Sequence, residues 1–300
     1  MASGDELTAL LTRASVEISS RGHQLAQLCD RFSAGSDVTI TFLPGDNYRH
    51  NIETATALRR AGFNPVPHIA AREMASRDML DDFLARLRGD ADVGRVLLIA
   101  GDVALARGPF KSSRDVGTSG LIEAHGIRSV SVAGHPEGHP YLDAAEALDV
   151  LGSWRDWGAK TGTHVDVMTQ FCFESAPILD WIDALEKHGI DLPVIVGLAG
   201  PATPATLTKF ALRCGVGNSM RALRGQIGRF GRLLTDTGPD EVMRGLRLAP
   251  AAATARIAGF HLFPFGGLRK AGDWLRDYAH APDALRPTAR AMFETGAQKP

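Results

Sequence analysis

Short apolar runs rich in β-branched residues alternate with amphipathic stretches along the chain. Eight such runs predict strands: Ser15–Ile18, Val38–Phe42, Pro65–Ile69, Arg95–Ala100, Ile127–Ala133, His164–Gln170, Pro193–Leu198 and Ile257–Phe263. Strings such as RVLLIA and PVIVGL show almost no polar alternation. Strands buried on both faces look like that, and parallel sheets bury both faces. Helices are predicted between them at Asn51–Ala61, Asp78–Arg88, Tyr141–Trp157, Ser175–His188 and Pro204–Cys214. In the second of these, Met79, Leu80, Phe83, Leu84 and Leu87 fall on one stripe. Gly62 follows the first helix as a C′ glycine would, Ser175 stands at a capping position, and Pro204 suits a first helical turn.

Eight β-runs alternating with helices predict a closed (β/α)8 TIM barrel, an α/β fold in one domain over residues 1–300. The stretch from about 280 to 300 is expected to form a surface helix and tail. An open doubly wound sheet is the alternative, but it usually carries a GxGxxG turn after its first strand. Here SSRGHQ follows that strand, while GVGNSM at Gly215–Met220 follows a helix and reads as a loop or helix C-cap.

Composition changes this picture little. With 44% hydrophobic and 22% charged residues, the chain is globular in type and long enough for a large core. A formal net charge of −1 gives no electrostatic case for nucleic acid or an anionic membrane. The basic run Arg221–Arg232 reads as a solvated helix face, or as a contact for an anionic substrate tail. Cys29, Cys172 and Cys214 form no CxxC or zinc pattern, so reduced thiols in a cytoplasmic protein are expected. The N-terminus has no secretory pattern, and no apolar run reaches the ~18 residues of a spanning helix. Nothing in the sequence fixes the oligomeric state, and a homo-oligomer is among the options.

In such a barrel the active site lies at the C-terminal strand ends. Polar residues expected there are Glu17, Thr41, His68, Gly101-Asp102, His135 with Glu137 and His139, and Thr169-Gln170. Each also has a plain reading: an exposed acid, a core histidine, a helix cap at Asp102, a proline-stiffened turn in HPEGHP. Glu17 lies between Val16 and Ile18, which favours burial, and a buried carboxyl needs a partner or a raised pKa. His135 and His139 lack a third ligand at metal-binding spacing, so no metal is expected. TQFCFE at Thr169–Glu174 is the most unusual segment. Its glutamine donates and accepts in one plane and its aromatics offer stacking faces, which suits a flat heterocycle.

Together these segments resemble the methylenetetrahydrofolate reductase family, from Glu17 to about Phe263. TQFCFE is the most specific match; PHIAA, IAGD, PEGHP and VTITFLPGDNYRH resemble the family's PHLTC, LRGD, PEVHP and strand-two segments. The resemblance implies Glu17 as the acid that opens the ring of 5,10-methylenetetrahydrofolate, and Asp102 as the charge beside the pterin. It implies Gln170 and Phe171 as substrate contacts. For FAD it implies Thr41, His68, Gly101, Asp102, His135 and His139, with Arg155 facing the diphosphate. NADH or NADPH would be the co-substrate, in one-carbon and methionine metabolism. Departures from the family pattern are Ala100 in IAGD, His135, the helix segment LGSWRDWGAK with Arg155 as its only candidate cation, Ala205, and HLFPFGGL after strand eight. These leave three activities in view. One is the flavin-dependent reductase. Another is a folate barrel without flavin, using direct hydride transfer from NADH or handling methyl groups. The last is a non-catalytic partner of a folate enzyme. The family's regulatory domain has no counterpart in this sequence, so inhibition by S-adenosylmethionine is not expected.

Overall fold

Eight parallel strands close on themselves in chain order in the computed structural model, which describes residues 4–21, 24–139, 142–216 and 236–280. They are β1 (Ser15–Ser19), β2 (Asp37–Thr41), β3 (Asn64–Ala70), β4 (Arg95–Ile99), β5 (Ser129–Gly134), β6 (His164–Thr169), β7 (Val194–Ala199) and β8 (Ile257–Phe263). The ring closes where Ser15 and Val16 pair with His261 and Leu262. The fold is a single-domain (β/α)8 barrel.

The helices are α1 (Gly4–Leu11), α2 (Leu25–Arg31), α3 (Tyr48–Arg60), α4 (Arg77–Ala91), α5 (Ser113–Gly117), α6 (Leu121–Ala124), α7 (Ala144–Thr161), α8 (Ala176–Lys187), α9 (Pro204–Arg213), α10 (Asp240–Leu248), α11 (Ala251–Thr254) and α12 (Leu268–His280). Local chemistry explains their ends. Asn47 accepts from the Arg49 amide to start α3, and Gly62 follows at φ +88°. Ser76 caps α4, and Asp143 with Glu146 forms a reciprocal capping box on α7. That box starts α7 at Ala144, three residues later than the hydrophobic pattern alone suggests. Thr203 caps α9 ahead of Pro204. Ser175 occupies the cap position of α8, but its side chain makes no capping hydrogen bond there.

Two layers hold the barrel. Outside the sheet, Leu80, Phe83, Leu84 and Leu87 of α4 are fully buried, and the Phe83 ring lies against Phe42 and Tyr48. Inside the sheet, Val66, Leu97 and Met168 fill the centre with Ile99 and Ile195 beside them. Beneath them Arg95 bridges two carboxylates, at 2.9 Å from Asp37 and 2.7 Å from Asp166, and donates to Ser131. The N-terminal end of the barrel is therefore plugged by charge and its centre by hydrocarbon, which leaves the C-terminal mouth for chemistry.

Gly215 follows α9 at φ +71°, as a helix-ending glycine does. Gly217–Met220 of the GVGNSM string, the basic run Arg221–Arg232 and the tail beyond 280 lie outside the described residues. Among the described residues no helix is long and apolar enough to cross a membrane.

Candidate active site

Glu17 points into the barrel because β1 alternates: Val16 and Ile18 are buried against the helices, and Glu17 pairs in register with Thr39 of β2. Its side chain is 21% exposed, and burial pushes its carboxyl up to about 7. His68 Nε2 lies 3.8 Å from Glu17 Oε2, beyond hydrogen-bond range. Burial pushes His68 down to about 4 and His261 down to about 3. His261 Nδ1 meets Ser15 Oγ at 2.8 Å. Both rings are thus neutral near pH 7, so neither supplies a cation to hold Glu17 ionised. A carboxyl in that state can give up a proton at neutral pH.

The rim gathers most of the other expected residues. Gly101 and Asp102 follow β4, with Gly101 at φ +92° and room for a Cβ only at 3.3 Å from Ala70 Cβ. Asp102 is exposed and caps no helix; the next one begins at Ser113, behind Ser112. The Cys214 thiol at the end of α9 senses both acids: burial first, then Asp102 and Glu17, push it up to about 11. Glu17 and Asp102 therefore share one side of the mouth. Thr41 Oγ1 and His68 Nε2 are buried without hydrogen-bond partners among the described residues. The Gln170 side chain accepts from the Phe171 amide at 3.1 Å. The rings of His135 and His139 meet edge-on at 4.6 Å. Burial, then His139, pushes His135 down to about 4. No group of three metal-ligating side chains occurs among the described residues.

Two expected residues sit elsewhere. Phe171 is fully buried, its ring packed on Phe173, Phe263 and Phe265. The aromatic faces left half-buried belong to Phe263, Phe265 and Phe210, the last two stacked at 4.2 Å. Arg155 lies on the lower part of α7, where it pairs with Asp156 and donates to the Gly189 carbonyl. Gly189 precedes β7, so Arg155 belongs to the N-terminal side and not to the mouth.

The structure adds one cation that sequence reasoning missed. Arg72 follows β3 and donates to the carbonyls of Lys111 and Val103 at 2.9 and 3.3 Å. Its charge, after burial, lowers His139, and its Cβ stands 3.9 Å from where a Gly101 Cβ would be. Its bonds go to neutral acceptors, and it makes no ion pair among the described residues. The only signal in the sequence was its position directly after PHIAA. His261 was also missed, because one polar residue inside GFHLF does not disturb a strand pattern.

Sequence comparison finds similarity to a known enzyme. Over 176 residues the chain is 28% identical to the 5,10-methylenetetrahydrofolate reductase of Pectobacterium carotovorum subsp. carotovorum, covering 58% of this chain and 56% of that one. Over 187 residues it is 28% identical to the Salmonella typhimurium enzyme of the same name, covering 61% and 60%. This chain is thus similar to 5,10-methylenetetrahydrofolate reductases over about three fifths of its length. It matches less than two thirds of the length of those relatives. No family model matches. A Clostridium thermocellum protein described as binding two copies of 5-methyl-5,6,7,8-tetrahydrofolic acid shares the fold, with a TM-score of 0.53 and 10% identity over 89% of this chain and 94% of that one.

Proposed function

We propose that this chain reduces 5,10-methylenetetrahydrofolate to 5-methyltetrahydrofolate with NADH or NADPH. The observation that carries the reading is Glu17: a carboxyl on the expected strand, desolvated, with its pKa raised to about 7 and no charged cation paired with it among the described residues. Glu17 donates its proton to N10 of the substrate. The C–N10 bond breaks, and the methylene carbon remains on N5 as an iminium cation. Asp102, on the same side of the mouth, favours that positive charge. A hydride delivered to the iminium carbon completes the methyl group. Gln170 has the chemistry to read one edge of the pterin, and the half-buried Phe263 and Phe265 offer it apolar faces.

A flavin held at the mouth would supply the hydride transfer from NAD(P)H. Support for a flavin comes from Thr41 Oγ1 and His68 Nε2, which lack hydrogen-bond partners among the described residues, the close backbone at Gly101, and the Arg72 guanidinium beside His139, which makes no ion pair among them. Arg72 would take the place of the diphosphate cations missing from the segment LGSWRDWGAK. Direct hydride transfer from NADH is the second reading, favoured by Ala100 in IAGD and by Arg155 lying away from the mouth. Visible flavin absorbance that survives desalting of the FAD-treated protein selects the first reading. A colourless but active protein selects the second.

Glu17→Gln tests the shared core of both. Loss of a general acid lowers turnover by about 10²–10⁴-fold. Binding of 5-methyltetrahydrofolate should persist, since that ligand needs no proton. Unchanged turnover in the variant contradicts the assignment.

A further inference from the structure

A cavity lies at the opposite end of the barrel from the mouth. It holds about 380 Å³ and is walled by the loops that lead into β2, β3, β4 and β5. That volume is in the ligand-site range of roughly 300–1,000 Å³. Four arginines line it: Arg59 at the end of α3, Arg88 in the last turn of α4, Arg95 at the start of β4, and Arg128 just before β5. Asp37 and Asp92 are the only carboxylates in its lining.

Charge pairing within the cavity is uneven. Arg95 is matched with Asp37 at 2.9 Å, and Arg88 pairs with Asp92. Arg59 spends its donors on neutral acceptors: the Ala91 carbonyl at 3.1 Å, Asn64 Oδ1 at 2.9 Å and the Asp92 carbonyl at 2.9 Å. These bonds fix the guanidinium without neutralising it. Arg128 makes no ion pair or side-chain hydrogen bond among the described residues, and its side chain is exposed. Four arginines against two aspartates leave a lining surplus of two positive charges, seated on Arg59 and Arg128. Asp166, below the lining, shares Arg95 at 2.7 Å and reduces the surplus of the wider cluster to one without touching either free guanidinium.

We propose that this cavity is a second binding site, for a compact oxyanion carrying two negative charges. Guanidinium forks match the oxygens of phosphate and carboxylate groups, and one fork held in place before binding loses little freedom when the anion arrives. Both a phosphate ester and a small dicarboxylate have the required chemistry. The proposal does not depend on the folate reading, because no residue of the mouth lines this cavity.

Calorimetric titration of the full chain with inorganic phosphate, and separately with succinate, tests it, with ionic strength matched by sodium chloride. Arg128→Ala is the informative variant, since an exposed side chain without partners can be removed without unfolding the barrel. Arg114→Ala, on an exposed position of α5, is the control. Binding of phosphate that falls about tenfold or more in Arg128→Ala and not in Arg114→Ala supports the site and assigns phosphate esters. The same pattern with succinate supports the site and assigns dicarboxylates. No binding of either anion to the native chain overturns the proposal, and so does equal binding by the native chain and Arg128→Ala.

Discussion

Glu17 stores the clearest consequence of a single side chain's surroundings. Its pKa rises from 4.5 to about 7 on folding. Between those values the folded chain holds a proton that the unfolded chain has released. Stability therefore falls as pH rises through that window and levels off above it. His68 and His261 work in the opposite sense, from 6.5 down to about 4 and about 3. The unfolded chain takes up those protons first, so their contribution is present above about pH 6.5 and is lost as pH falls toward the folded values. Glu17→Gln removes only the first effect. Its stability relative to the native chain should improve by roughly 2–3 kcal/mol between pH 4.5 and pH 8. Urea melts at the two pH values measure this, and a gap that does not change with pH contradicts the buried-acid account. Glu17 was legible in the sequence because Val16 and Ile18 flank it. The neutrality of His68 and His261 was not, because it depends on how the closed barrel desolvates two strands that are far apart in the chain.

At the level of elements, the strands were legible almost to the residue. β8 was read at its observed bounds, Ile257–Phe263, and β1 one residue short. Apolar runs bounded by polar turns leave little freedom there. α3, α4, α7, α8 and α9 were legible from their stripes, but α12, at 13 residues, and the shorter α1 and α10 were not read; α2, α5, α6 and α11 are four to seven residues long and too short to show a period. α4 shows what its stripe contributes. Phe83 is fully buried against Phe42 and Tyr48, so Phe83→Ala should cost about 3–5 kcal/mol, seen as a lower urea midpoint with unchanged slope. Gly197 in β7 has the reverse problem. A Cβ there would come within 2.3 Å of the Thr169 carbonyl oxygen, which belongs to the neighbouring strand. Gly197→Ala should destabilise by about 1–3 kcal/mol through overpacking. A neutral effect on the melting midpoint would mean that β6 and β7 can part more easily than their packing implies.

The whole molecule separates two jobs along the barrel axis. Charge plugs the N-terminal end, hydrocarbon fills the centre, and neutral histidines with one raised carboxyl occupy the interior toward the mouth. The plug has a cost when it is broken. Arg95→Met would leave Asp37 and Asp166 buried or half-buried without their cation, and stability should fall by about 3–5 kcal/mol. Thermal melting of that variant checks it, and an unchanged midpoint would show that the plug does not hold the barrel. At this scale the closed barrel was legible from eight alternations. The segregation of charge was not, because Arg95, Asp37 and Asp166 lie on three strands and only closure of the barrel brings them together. The central claim is that the mouth converts a reduced folate. Mass-spectrometric analysis of the folate products after incubating the purified chain with 5,10-methylenetetrahydrofolate, NADH and FAD tests it most directly. The account predicts 5-methyltetrahydrofolate formed in step with NADH consumed, and far less of it with Glu17→Gln. An unchanged folate pool with NADH intact would contradict it.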